Sequence, residues 1–128
     1  MSRPSTALII DDETHVRVYL RMVLKQLGVS TIWEAGTVEE AKSLFGATRP
    51  QVVLMDVVMP GVQGTSLFEE LLAMDPNVNV IVVTSQNGLK TVQDMHALGA
   101  IAYVLKHTPR DQMMKALAEA LDWVGSQV

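Results

Sequence analysis

The chain has no cysteine, which excludes disulfide frameworks, thiolate zinc sites, iron–sulfur ligation and cysteine nucleophiles together. No apolar run approaches the roughly 20 residues that a membrane-spanning helix needs, so no membrane association is expected. Basic clusters are missing too. Lys and Arg number 10 against 14 acids, for a net charge of −4, and they stand singly, so nothing here would displace counterions from a nucleic-acid backbone. Direct nucleic-acid binding by this chain is not expected. The amino terminus, Met1-Ser2-Arg3-Pro4-Ser5-Thr6, leads into only four apolar residues, Ala7 to Ile10, too few for a secretory signal, which points to the cytoplasm. Hydrophobic residues make up 48% of the 128, enough for one ordinary core. With no internal repeat, low-complexity tract or linker, residues 1–128 read as a single domain.

Short apolar runs alternate with helix-length amphipathic stretches, the pattern of strands and crossover helices around a parallel sheet. The expected strands are Thr6 to Ile10, Thr31 to Glu34, Val52 to Met55, Val78 to Val83 and Ile101 to Leu105. Three of them carry continuous apolar runs, Ala7 to Ile10, Val52 to Met55 and Val80 to Val83, that must be covered on both faces, so they are central, whereas Thr31-Ile32-Trp33-Glu34 reads as an edge. In the first helix Val16, Leu20, Val23, Leu24 and Leu27 form one stripe, with Gly28 where a left-handed cap belongs. The second runs from Val38 to Ala47 behind a Thr37/Glu40 capping box. The third spans Ser66 to Met74, and the fourth, Lys90 to Leu98, ends at Gly99. The fifth begins near Pro109 with Thr108 as N-cap and buries Met113, Leu117, Leu121 and Val124. No output domain is expected beyond it.

Ligands of open α/β sheets bind outside the carboxyl ends of the strands, so the residue after each apolar run carries the information. Those residues are Asp11-Asp12-Glu13, Asp56, Thr84-Ser85 and Lys106. Adjacent strands lie about 4.8 Å apart, which would set Asp11 and Asp12 beside Asp56. Two unit charges 4 Å apart repel by about 4 kcal/mol at an effective dielectric of 20, so a cation among them is implied. The donors are all oxygens, which suits Mg²⁺. Lys106, two strands from Asp56, has a stem long enough to approach it, and Thr84 offers a hydroxyl between them. Carboxylate, cation, hydroxyl and ammonium around one point can hold a phosphoryl group, with Asp56 as the candidate nucleophile.

In order and spacing, Asp11-Asp12, Met55-Asp56-Val57-Val58-Met59-Pro60-Gly61 with Gly64, Thr84-Ser85 and Tyr103-Val104-Leu105-Lys106 resemble the receiver domains of bacterial two-component response regulators. The resemblance spans nearly the whole chain. It implies a flavodoxin-like, three-layer (βα)₅ sandwich with strand order 2-1-3-4-5. Asp56 would be the phosphoacceptor, served by a histidine kinase or phosphotransfer protein, or by a small acyl phosphate. Asp12, Asp56 and the Val58 backbone carbonyl would ligate Mg²⁺, with Asp11 acting through a water. Lys106 would pair with the phosphoryl group, Thr84 would move to hydrogen-bond it, and Tyr103 would swing inward. From pattern alone Tyr103 reads equally as a ring capping the sheet. The fourth helix, fifth strand and fifth helix would then face a downstream effector. Such a module catalyses only its own phosphorylation and dephosphorylation, and it acts as a monomer or a phosphorylation-dependent dimer.

Two positions depart from the family pattern. The family usually has proline after the lysine, commonly with a cis bond, whereas here the chain reads Lys106-His107-Thr108-Pro109. Val58 and Gln86, two residues beyond Asp56 and Thr84, offer no acid or base to an attacking water, which implies slow to moderate loss of the phosphoryl group. A competing reading is an Mg²⁺-dependent phosphatase acting on external esters through an aspartyl-phosphate, although Val58 stands where such enzymes place a second acid. A flavin or nucleotide binder fits less well, because the loop after the first strand is acidic where phosphate would dock. His15, His96 and His107 share no face and read as solvent-exposed; the eight methionines read as packing, and Trp33 and Trp123 as edge packing.

Overall fold

Apolar strands buried on both faces require helices above and below the sheet, and the chain supplies them in alternation. The computed structural model describes residues 3–85 and 88–127, with residues 62–64 described by their backbone. Its elements in order are β1 (Thr6–Ile10), α1 (Thr14–Gln26), β2 (Thr31–Ala35), α2 (Val38–Thr48), β3 (Val52–Met55), β4 (Val58–Met59), β5 (Val62–Gln63), α3 (Gly64–Met74), β6 (Val80–Thr84), α4 (Leu89–Leu98), β7 (Ala102–Leu105) and α5 (Arg110–Gly125). Five strands form one parallel sheet in the order β2-β1-β3-β6-β7. Setting aside the two-residue strands β4 and β5, which pair only with each other, this is the expected order 2-1-3-4-5. The flavodoxin-like sandwich is therefore present.

The period of two along the strands divides the core. Ala7, Ile9, Val52, Leu54, Ile81 and Val83 face α1 and α5, whereas Leu8, Ile10, Val53, Met55, Val80 and Val82 face α2, α3 and α4. The first stripe buries Leu20, Val23 and Leu24 of α1 against Met113, Leu117, Leu121 and Val124 of α5, as their spacing predicts. Gly28 follows α1 at φ +97°, a conformation that a β-carbon would strain. The Thr37 half of the expected capping box forms, Thr37 Oγ1 accepting from Glu40 N at 3.1 Å, whereas Glu40 Oε1 accepts from the amide of Gly36 at 3.0 Å, one residue before the cap.

Several boundaries differ from the sequence reading. The fourth sheet strand starts at Val80, not Val78, because the Val78 amide donates to Asp75 O at 3.1 Å and closes the turn before it. It also extends through Thr84, which pairs with Leu105. Thr108 does not cap α5. Pro109 is itself the cap residue, at φ −53° and ψ 148°, and its carbonyl accepts the Met113 amide at 2.8 Å, so proline precedes the first helical turn. The β4–β5 hairpin was not expected; it turns through Gly61 at φ +79°.

Candidate functional site at the carboxyl edge

Parallel pairing brings the ends of β1 and β3 level, with Ile10 opposite Met55, so the next residues, Asp11 and Asp56, stand side by side. Backbone bonds fix both: Asp56 N donates to Ile10 O at 3.0 Å and Asp11 N to Ala35 O at 3.1 Å. Each carboxylate turns one oxygen onto its own loop. Asp11 Oδ1 accepts from Glu13 N at 2.8 Å, and Asp56 Oδ1 accepts from Val58 N at 3.0 Å. The second oxygens meet Lys106, whose Nζ lies 2.7 Å from Asp56 Oδ2, 2.9 Å from Asp11 Oδ2 and 2.6 Å from Glu13 Oε1. The contacts to Asp56 and Glu13 are hydrogen bonds. Asp11 Oδ2 has the ion-pair distance without hydrogen-bond alignment, and it is buried with no hydrogen-bond partner.

Burial and charge act in opposite directions here. Asp11 and Asp56 are 1% and 3% exposed. Burial pushes the Asp11 carboxyl above its ordinary range and the neighbouring Asp56 adds to this, against the Glu13 amide and Lys106, which favour its charge. Glu13 is lowered, chiefly by its hydrogen bond to Lys106. For Lys106 burial is the largest single influence and opposes its charge, yet the hydrogen bonds to Asp56 and Glu13 and the ion pair with Asp11 together hold the ammonium above its usual range.

Carboxylate oxygens of Asp11, Asp12, Glu13 and Asp56 all lie within 4.8 Å of one another. An all-oxygen set that includes a buried oxygen lacking a hydrogen bond fits a hard divalent cation. Asp12 and Glu13 are exposed, so the set opens to solvent. Asp12, Glu13, Asp56, Val58, Met59, Pro60, Ser85 and Lys106 line a cavity of about 460 Å³ above it. A larger cavity of about 700 Å³ lies at the opposite end of the strands, around Arg49, Gln51, Asn77 and Trp123. Among the described residues the buried side-chain atom lacking a hydrogen bond belongs to Asp11, next to the acids Asp12, Glu13 and Asp56 that line the smaller cavity.

Thr84 is fully buried at the end of β6, between β3 and β7, and its carbonyl accepts the Lys106 amide at 2.8 Å. Tyr103 is half-buried on the α4 side of β7, and burial followed by the Asp56 charge raises its hydroxyl above the ordinary range. Val58 is exposed at the head of the β4–β5 hairpin. The peptide bonds from Lys106 to Pro109 are trans. Gln86 lies outside the described residues. His15, His96 and His107 are exposed, as expected. Sequence reasoning grouped Glu13 with the acids but missed its pairing with Lys106, for which the three-acid run was the available signal. It also missed Arg17, whose Nη1 donates to the Asp11 carbonyl. No helix among the described residues is long and apolar enough to cross a membrane.

Comparison with known proteins agrees with this geometry. Residues 7–118 match the family described as response regulator receiver domain. Sporulation initiation phosphotransferase F of Bacillus subtilis is 29% identical over 114 residues, covering 89% of this chain and 91% of that protein. Chemotaxis protein CheY of Thermotoga maritima is 27% identical over 110 residues, covering 86% and 92%. A CheY-like receiver domain structure from Methanospirillum hungatei superposes with a TM-score of 0.86 at 24% identity, covering 98% of this chain and 99% of that one. Together with the acidic edge and its lysine, the match over most of the chain places this protein in the response regulator receiver domain family of two-component signalling.

Proposed function

We propose that residues 1–128 act as a single phosphorylation-controlled receiver that accepts a phosphoryl group on Asp56. The donor is the phosphohistidine of a histidine kinase or phosphotransfer protein, or a small acyl phosphate. The observation that carries this reading is the Lys106 Nζ–Asp56 Oδ2 contact of 2.7 Å beside a buried Asp11 oxygen that is ion-paired to the same ammonium but accepts no hydrogen bond. A carboxylate oxygen of Asp56 attacks phosphorus, the bond to the donor nitrogen or acyl oxygen breaks, and its electron pair leaves with the donor. Asp12, Asp56 and the Val58 carbonyl would hold Mg²⁺, with Asp11 acting through a water. The ion neutralises charge on the phosphoryl oxygens when bound. Lys106, now 2.7 Å from Asp56, would follow the new charge, and the Thr84 hydroxyl would hydrogen-bond it.

The added charge, about −1.5 to −2 by analogy with phosphorylated hydroxyls, bears on the ends of β6 and β7. Tyr103 then turns inward, and the α4–β7–α5 surface changes for a downstream effector. Apolar Val58 activates no water, in keeping with slow to moderate loss of the group. The setting is cytoplasmic. Incubation with acetyl phosphate and MgCl₂ should add the mass of one phosphate to the protein, and Asp56→Asn should abolish the gain. Undiminished labelling of that variant would refute the assignment.

A further inference from the structure

Asp12 is exposed on a short loop, so its position depends on what holds the backbone on either side. Helix capping does not: Glu13, the cap residue of α1, makes no side-chain cap bond. Arg17 does. From the second turn of α1 its Nη1 donates to the Asp11 carbonyl, before Asp12, and its Nη2 donates to Thr14 Oγ1, after Glu13, at 3.2 Å. Its Nε donates to Glu34 Oε1 on the edge strand β2 at 3.1 Å. Glu34 is itself held by Arg21, whose Nε lies 2.8 Å from Oε2 and whose Nη2 donates to Ile32 O at 2.9 Å. The Arg17 side chain is 16% exposed and packs over Gly36, where a β-carbon would come within 3.1 Å of Nη1.

We propose that Arg17, anchored by Glu34, is a positioning residue for the divalent cation, bracketing the Asp11–Thr14 loop so that Asp11 and Asp12 are presented to it. This rests on the reading that these acids hold Mg²⁺. A planar guanidinium suits the task because three of its N–H groups reach three acceptors in fixed directions, which one ammonium cannot do. The sign of the effect separates positioning from simple charge. Removing a cation near a cation site should tighten Mg²⁺ binding by Coulomb's law, whereas removing a clamp on the ligand loop should weaken it.

The experiment is calorimetric titration of the whole chain with MgCl₂, without any phosphodonor. Arg17→Ala should weaken binding by about tenfold, the lower end of what losing a residue behind metal ligands does. Arg17→Lys keeps the charge and should still weaken it by about threefold. Glu34→Gln should weaken the wild type but add little to Arg17→Ala, since both act through one contact. Unchanged or tighter binding in Arg17→Ala overturns the proposal, and so does wild-type affinity in Arg17→Lys should the alanine variant not fold. If the wild-type protein takes up no Mg²⁺, the reading beneath the proposal fails as well, and this outcome is distinct from a site that binds normally without Arg17.

Discussion

Lys106 Nζ lies 2.7 Å from Asp56 Oδ2 although the two residues leave strands separated by β6. Two interstrand spacings amount to about 10 Å, which the lysine stem spans. The ammonium is thereby the internal counter-ion of Asp56, Asp11 and Glu13.

Lys106→Ala should accordingly destabilise the metal-free protein by about 3 kcal/mol, because it leaves two buried carboxylates without their partner. Saturating Mg²⁺ should restore much of that loss, so the stabilisation by the ion is larger in the variant than in the wild type. Urea unfolding in EDTA and in MgCl₂ measures both. Equal stability of variant and wild type in EDTA would show that the ammonium is not the counter-ion.

Asp11 leads to a pH dependence with a defined sign. Its folded pKa is raised, by burial first, so the folded state holds this proton more tightly than the unfolded chain does. That contribution to stability is complete below the ordinary value of about 3.9 and is lost as the pH rises through the folded value. Asp11→Asn removes the charge and should make the protein in EDTA more stable near pH 7. Thermal unfolding in EDTA between about pH 4 and pH 7 should show the gap between variant and wild type widening with pH. In MgCl₂ the order should reverse.

The cap of α2 is separate from the site chemistry. Thr37→Ala removes the acceptor of the Glu40 amide and should cost about 1 kcal/mol. Denaturant midpoints check this, and Thr37→Ser should recover most of the loss.

Phe45 of α2 is fully buried between the helices and the sheet, with the Arg49 guanidinium 5.7 Å from its ring centre. Phe45→Ala should cost about 3 to 5 kcal/mol by removing contacts and leaving a cavity. Phe45→Leu should cost clearly less in the same urea titration, because it keeps most of the volume.

Periodicity and end signals are local, and what depends on them was legible from residues alone. Val52 to Met55 had to be buried on both faces, Leu20, Val23 and Leu24 had to share a stripe, and Gly28 and Gly99 had to end helices; all are so placed. The acids and Lys106 could be assigned to one edge of the sheet because each follows an apolar run. Thr108 and Val78 went the other way, since a backbone amide committed to a turn overrides a side-chain preference.

The amino-acid sequence by itself thus determined the alternation of strands and helices, the two-sided core and the chemical kinds of group delivered to the carboxyl edge. Tertiary structure alone decided which oxygen of each aspartate faces Lys106, that Glu13 shares Lys106 with Asp56, and that Arg17 reaches across to Glu34 on β2. Those choices depend on the directions of hydrogen bonds between segments far apart in the chain. Direction, unlike hydrophobic period, is not written in the order of residues.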